Sequence, residues 1–271
     1  MLVSGDPMMD VVNIPFSSYH NTEMFRCHRN VLLLEVKEGN PDKVYFYKDE
    51  YAAPQVIFEV AASSRRTLDS LLDKVAPRVL AEMRDGEHRR IIKAFHNDRG
   101  VKQMKTIREK FGIGLTVSQE FEVAVMEPDF AWVRKETKDF GIGVLLHRLP
   151  YTDKRQLEPE RLMDALDTMM RHHVPGPAEG SYMGLERKNW DVTHRQTRLA
   201  DLPAEELRGM WRTFGDFMGG PFVSYIVVEP GNKTLLLLTA YAYAPRETNS
   251  MPFPKRDLLM QVESICHSLE F

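Results

Sequence analysis

Strand-like and helix-like stretches in this chain come in blocks, not in βαβ alternation, and that ordering limits the fold more than any other feature. Extended runs at 31–36, 44–47 and 56–61 come first, and Gly39-Asn40-Pro41-Asp42 separates the first two at hairpin distance. A helical period follows, with Leu68, Leu71, Leu72, Val75, Val79 and Met83 recurring behind Ser63 or Ser64 as N-cap. Pro77 lies inside that period and predicts a kink or a split. A further helix carries Val101, Met104, Ile107 and Phe111, with Gly112 placed to end it. Beyond Gly112, extended runs at 115–126, 130–135 and 142–149 predict an antiparallel meander. One helix then opens at Glu158-Pro159-Glu160, buries Leu162, Met163, Leu166, Met169 and Met170, and stops at Pro175-Gly176-Pro177.

The last third is extended at 191–199, 207–214, 222–228 and 235–243, with Gly231-Asn232-Lys233 turning the final hairpin, before a closing helix over 255–269. Alternation of Tyr225 and Val227, then Leu235, Leu237, Thr239, Tyr241 and Tyr243, predicts one buried and one half-exposed face for that hairpin. The expected fold class is α+β, with antiparallel sheets and helices packed on one face. The simplest division is into two lobes, 1–111 and 112–271, meeting at Phe111-Gly112.

Composition narrows the function classes. The 36 basic and 39 acidic residues give a net charge of −3, which argues against a nucleic-acid partner. No run approaches the roughly 18 apolar residues that span a bilayer. Residues 1–9 lack the charged and apolar regions of a signal peptide, so the chain reads either as cytosolic or as beginning after a removed leader. Cys27 and Cys266 form no metal-type spacing; two reduced thiols is the simpler reading, and a disulfide between them stays open.

No dinucleotide fingerprint, Walker loop, nucleophile elbow, HExxH or EF-hand loop occurs, and no cofactor or metal is implied. His172 and His173 are adjacent, so on a helix they point about 100° apart and chelate one ion poorly. Cys27-His28 and Cys266-His267 would form a four-ligand site only if the chain ends met.

Two segments stand out for contact instead of catalysis. Gly215-Asp216-Phe217-Met218-Gly219-Gly220-Pro221-Phe222 combines glycines with large apolar groups. It reads as a recognition loop whose glycines let a partner's backbone approach, or as a wide hairpin turn folding its aromatics onto the core; loop-length priors favour the turn. The second runs from Val174 to Met183, where Tyr182 lines a groove or the chain simply crosses over. The candidate contact surface is therefore Tyr182, Glu179, Arg208, Asp216, Phe217, Met218, Gly219 and Gly220, with no catalytic residue assigned. Glu179, Asp216 and Arg208 are the charges that an enzyme reading would need to converge.

The blocks VPGPAEGSYM (from Val174), ELRGMWRTFGDFMGGPFVSY (from Glu206), FRCHRNVLLLEV (from Phe25) and Tyr151-Thr152-Asp153 resemble the bacterial family called domain of unknown function 4837. Their order spans nearly the whole chain. Members of that family are characteristically envelope lipoproteins, so the resemblance implies an envelope location. It also implies a leader, a lipidated cysteine and a first strand and helix upstream of Asp6. It supplies no activity and no catalytic residue. The second lobe further resembles the Mog1/PsbP-like sandwich, which leans toward an accessory role without establishing one. The resulting expectation is a non-enzymatic accessory or binding protein of the bacterial envelope. Its partner would be an envelope protein or small ligand, and it would touch the membrane only through a lipid anchor. The alternative is an envelope enzyme acting on glycan or peptide through a carboxylate or histidine site.

Overall fold

The computed structural model describes residues 9–231, 233–245 and 254–271. Residues 1–8, whose sequence lacks the signal-peptide pattern, and Asn232 of the last turn lie outside them. Two compact units divide the described chain, Met9–Ile91 and Ile92–Phe271.

The N-terminal unit holds helices α1 (Phe16–Asn21) and α2 (Glu23–Arg26), strands β1 (Asn30–Val36), β2 (Lys43–Lys48) and β3 (Val56–Ala62), and most of α3 (Arg65–Asn97). β1 and β2 do not form the hairpin that their turn chemistry suggests. The sheet order is β1-β3-β2, with β1 parallel and β2 antiparallel to β3. The reason is burial. β3 is buried at every position but Glu59, whereas β1 and β2 expose alternate residues, so the most apolar strand takes the centre.

α3 starts as expected, with Ser64 Oγ accepting from the Thr67 amide at 3.2 Å. It then runs through Pro77 without breaking. Val75, Val79 and Met83 pack on Val56 and Phe58, and Leu68 packs on Val60 and Ala62. Contacts on both sides of the proline hold the two halves of the helix in line, so tertiary packing overrides the missing hydrogen bond.

In the C-terminal unit the elements are α4 (Val101–Phe111), β4 (Glu122–Met126), β5 (Phe130–Glu136), β6 (Gly141–Pro150), α5 (Pro159–His173), β7 (Tyr182–Leu185), β8 (Thr193–Leu199), β9 (Leu202–Phe214), β10 (Gly219–Val228), β11 (Thr234–Tyr243) and α6 (Lys255–His267). α4 belongs here because Ile107 and Phe111 are buried in this unit's core, which places the unit boundary within α3 and upstream of Gly112. The strands form one antiparallel sheet, β4-β5-β6-β11-β10-β9-β7. The long β9 pairs β8 along its first half and β7 along its second. The meander β4-β5-β6 and the hairpin β10-β11 are as read from the sequence.

The fold is α+β; the large sheet is antiparallel while the small one is mixed, and helices cover both faces of the large sheet, not one. Val223, Tyr225 and Val227 of β10 and Leu236, Leu238 and Ala240 of β11 pack against α4 and α6. Phe222 and Ile226, with Leu235, Leu237 and Tyr241, pack against α5. The expected half-exposed face is therefore absent from this hairpin. Residues 235–242 are buried at odd and even positions alike, the pattern of a strand covered on both sides.

Candidate functional site

α5 covers only part of its sheet face. Leu162 and Leu166 lie over the β11 end that carries Leu235 and Leu237, and the helix then stops at Val174 before Pro175. Beyond that stop the same face carries Trp132 of β5, Trp211 of β9, and Tyr241 and Tyr243 of β11. These aromatics floor an open cleft of about 400 Å³.

The cleft exists because its strands lack side chains where the aromatics need room. Gly141 of β6 lines the trough between β5 and β11, and Gly143, two residues on, lies against the Tyr241 ring. A Cβ at Gly143 would sit 2.8 Å from the Tyr241 ring, so the glycine lets that ring lie against β6. Trp132 Nε1 donates to Tyr241 Oη at 2.9 Å, and Trp211 Nε1 donates to the Ala242 carbonyl at 3.2 Å. Trp211 and Tyr241 meet edge to face, with centroids 5.8 Å apart. Burial pushes the Tyr241 hydroxyl well above its ordinary value, so it stays neutral while accepting from Trp132. At the rim, the Arg134 guanidinium lies 4.8 Å from the centre of the Trp132 ring and pairs with Glu122 and Glu136. The turn Thr137–Phe140 completes the rim with Lys138 and Asp139.

Both segments singled out from the sequence reach this cleft, and of the candidate contact residues Met218 lines it. Val174 to Met183 closes on itself, with Gly176 N donating to Ser181 O at 2.8 Å and Met183 N to Val174 O at 2.9 Å. It presents Val174, Pro175, Gly176, Pro177 and Met183 to the cleft. Tyr182 points elsewhere, stacked on Phe214 with Arg171 over its ring, and Glu179 is exposed on the turn.

Residues 215–222 form a tight hairpin. Gly215 takes φ +88° and Thr213 N donates to Met218 O at 2.8 Å. Gly219 and Gly220 belong to β10, and the close backbone approach at Gly220 is internal: a Cβ there would lie 2.0 Å from the Ala242 carbonyl oxygen. Met218 lines the cleft. Phe217, instead of folding onto the core, is fully exposed at the tip, and Asp216 caps its amide.

Arg208 is elsewhere, on the α6 face. Its guanidinium bonds Glu206 at 2.6 Å and Tyr225 Oη at 3.1 Å and also pairs with Glu263. Burial tends to raise the Glu206 carboxyl, but hydrogen bonds from Arg195 and Arg208 outweigh it and leave it below the ordinary carboxylate range. Glu179, Asp216 and Arg208 therefore do not converge, and none of them lines the cleft.

His172 and His173 end α5 as read, but the cluster they join was not visible in the sequence. His173 stacks on Phe130 at 4.1 Å and bonds Glu127 at 3.1 Å, while buried His147 of β6 lies 5.7 Å from it. Burial first, then His173, lowers the His147 value below 6.5, and Asp129 opposes them more weakly. Because the folded value is depressed, the stability contribution is complete above pH 6.5 and is lost as pH falls below it. Denaturation midpoints measured between pH 8 and pH 5 should fall on the acid side, and His147→Leu should flatten that slope. An unchanged slope would show that His147 does not titrate differently on folding. Cys27 and Cys266 are free thiols, and burial raises the Cys266 thiol.

Sequence reasoning missed the aromatic floor and the glycine trough. Two signals were present: Gly141-Ile142-Gly143 inside a strand, and Tyr241 and Tyr243 two apart on one face.

Fold and site together define a two-unit α+β protein whose larger unit is a helix-flanked antiparallel sheet with an aromatic cleft at one end of a face. The chain belongs to the family described as Domain of unknown function (DUF4837), whose profile matches residues 100–268. The profile of a second, Domain of unknown function (DUF8532), matches residues 2–96, so the FRCHRNVLLLEV block falls in that region. Among solved structures, LpqN of Mycobacterium tuberculosis, described as involved in cell envelope biogenesis, is similar at 12% identity and TM-score 0.35, over 58% of this chain and 81% of that one. No curated protein matches the sequence significantly. Among the described residues no helix is long and apolar enough to cross a membrane.

Proposed function

We propose that the protein is a non-catalytic binding module of the bacterial envelope and that the aromatic cleft is its ligand site. The observation that carries this is the trough itself: Gly141 leaves open a volume lined by two indoles and two phenols, where a packed sheet would place a side chain. The cleft wall offers stacking faces and backbone, and its two indole N–H groups are already bonded within the protein. Phe217, exposed beside Met218 on the same hairpin, extends the contact surface outward. The envelope setting rests on the family resemblance, in which lipoproteins are characteristic.

Gly141 provides a clean test, because a Cβ there meets nothing closer than Glu136 Cγ at 3.8 Å. Gly141→Leu should fill the trough while leaving the fold and its circular-dichroism melt unchanged. Ligand-observed NMR against a general fragment set should return binders to the native protein that this variant loses. Binders retained equally by the variant, or none at all, would remove the cleft as the site.

A further inference from the structure

We infer that the ligand of this cleft is a saccharide, held by stacking of a pyranose ring on the aromatic floor and by hydroxyl contacts at the charged rim; this rests on reading the cleft as the binding site. Three observations narrow the occupant.

The first is how the floor's donors are used. Trp132 Nε1 is engaged by Tyr241 and Trp211 Nε1 by the Ala242 carbonyl. An extended peptide brings one carbonyl per residue and needs donors along the groove, which these indoles cannot supply. Trp211 and Tyr241 are buried, and what the half-buried Trp132 and Tyr243 do present is ring surface, whose negative quadrupole attracts the positively polarised C–H bonds on the flat face of a sugar ring.

The second is the rim. Among the described residues, Lys138 and Asp139 make no ion pair, although they are neighbours at the mouth of the cleft. Together they offer donors and an acceptor within one turn. A hydroxyl is both donor and acceptor and satisfies either group, whereas an acyl chain would strip water from both without replacing it.

The third is shape. The cleft is open along one side and holds about 400 Å³. That lies within the usual range of small-ligand sites, about 300–1,000 Å³. An open trough suits a ring with one wet edge, while a lipid chain calls for an enclosed tunnel.

The test uses the chain with Trp190→Phe, which leaves Trp132 and Trp211 as its two indoles. A panel of neutral, N-acetylated and uronic-acid oligosaccharides is titrated against its fluorescence, alongside a proline-rich peptide and dodecanoate. Saturable quenching or a blue shift is expected with at least one oligosaccharide. Lys138→Ala with Asp139→Ala should weaken that saccharide about tenfold and leave the circular-dichroism melt unchanged. If the peptide or dodecanoate saturates and no saccharide does, the saccharide inference fails while the cleft remains the site. If fragments bind but nothing in the panel does, the inference fails in the same way. Absence of fragment binding as well would remove both.

Discussion

Replacing Arg208 by alanine is expected to cost the C-terminal unit about 3–5 kcal/mol, the usual penalty for breaking a buried ion pair from one side. The reason lies in what remains. Glu206 and Glu263 have side chains only 2% and 3% exposed, and Arg208 lies between them as the shared cation. Removing it leaves one deeply buried carboxylate with Arg195 alone and deprives the other of its guanidinium, while Tyr225 Oη also loses a donor. Arg208→Lys keeps the charge but not the fork that reaches both carboxylates, so its loss should be smaller than that of alanine. Chemical denaturation of both variants measures this. A loss below about 1 kcal/mol for alanine would place the network with exposed ion pairs and refute the account.

The second large effect is expected at Gly220. Its added Cβ would meet a backbone oxygen of β11 at 2.0 Å, and backbone in the middle of a sheet cannot swing aside. Gly220→Ala should therefore destabilise by about 3 kcal/mol, at or beyond the upper end of ordinary overpacking. Phe217→Ala, three residues earlier on the same hairpin, should stay within about 0.5 kcal/mol because its ring touches solvent alone. The contrast separates the two readings of this segment: its later glycines serve the sheet, and its tip serves contact. Equal melting temperatures for the two variants would contradict that division.

The hairpin also shows how far sequence reasoning reached. Its composition was unusual enough to be noticed, and Met218 does line the cleft. A partner's approach and a plain turn stay open for the glycines in the sequence, with the turn favoured, because a sequence does not show which backbone lies beside them. Gly220 faces Ala242, which joins it only through the pairing of β10 with β11. Arg208 was shortlisted for nearness in sequence to Asp216, yet strand alternation sends it to the opposite face, under α6. Pro77 was read as a break because its local effect is unfavourable, and contacts with a strand nearly twenty residues away reverse the outcome.

What the sequence alone determined is much of what is set within a turn or two of chain, the β1-β2 turn and Pro77 excepted. The N-cap of α3, the ends of α4 and α5, the β4-β5-β6 meander, the β10-β11 hairpin and the α+β class all follow from periodicity and from glycine and proline placement. The family pattern was legible for the same reason, as ordered blocks of residues. Tertiary structure decided the insertion of β3 between β1 and β2, the burial of both faces of the large sheet, and the cleft. Each depends on segments far apart in sequence competing for the same apolar surface, and the competition is settled by total burial, not by local preference. The aromatic floor is drawn from β5, β9 and β11, with its opening left by Gly141 in β6. No one of those strands carries the site; it exists only once they are paired in register.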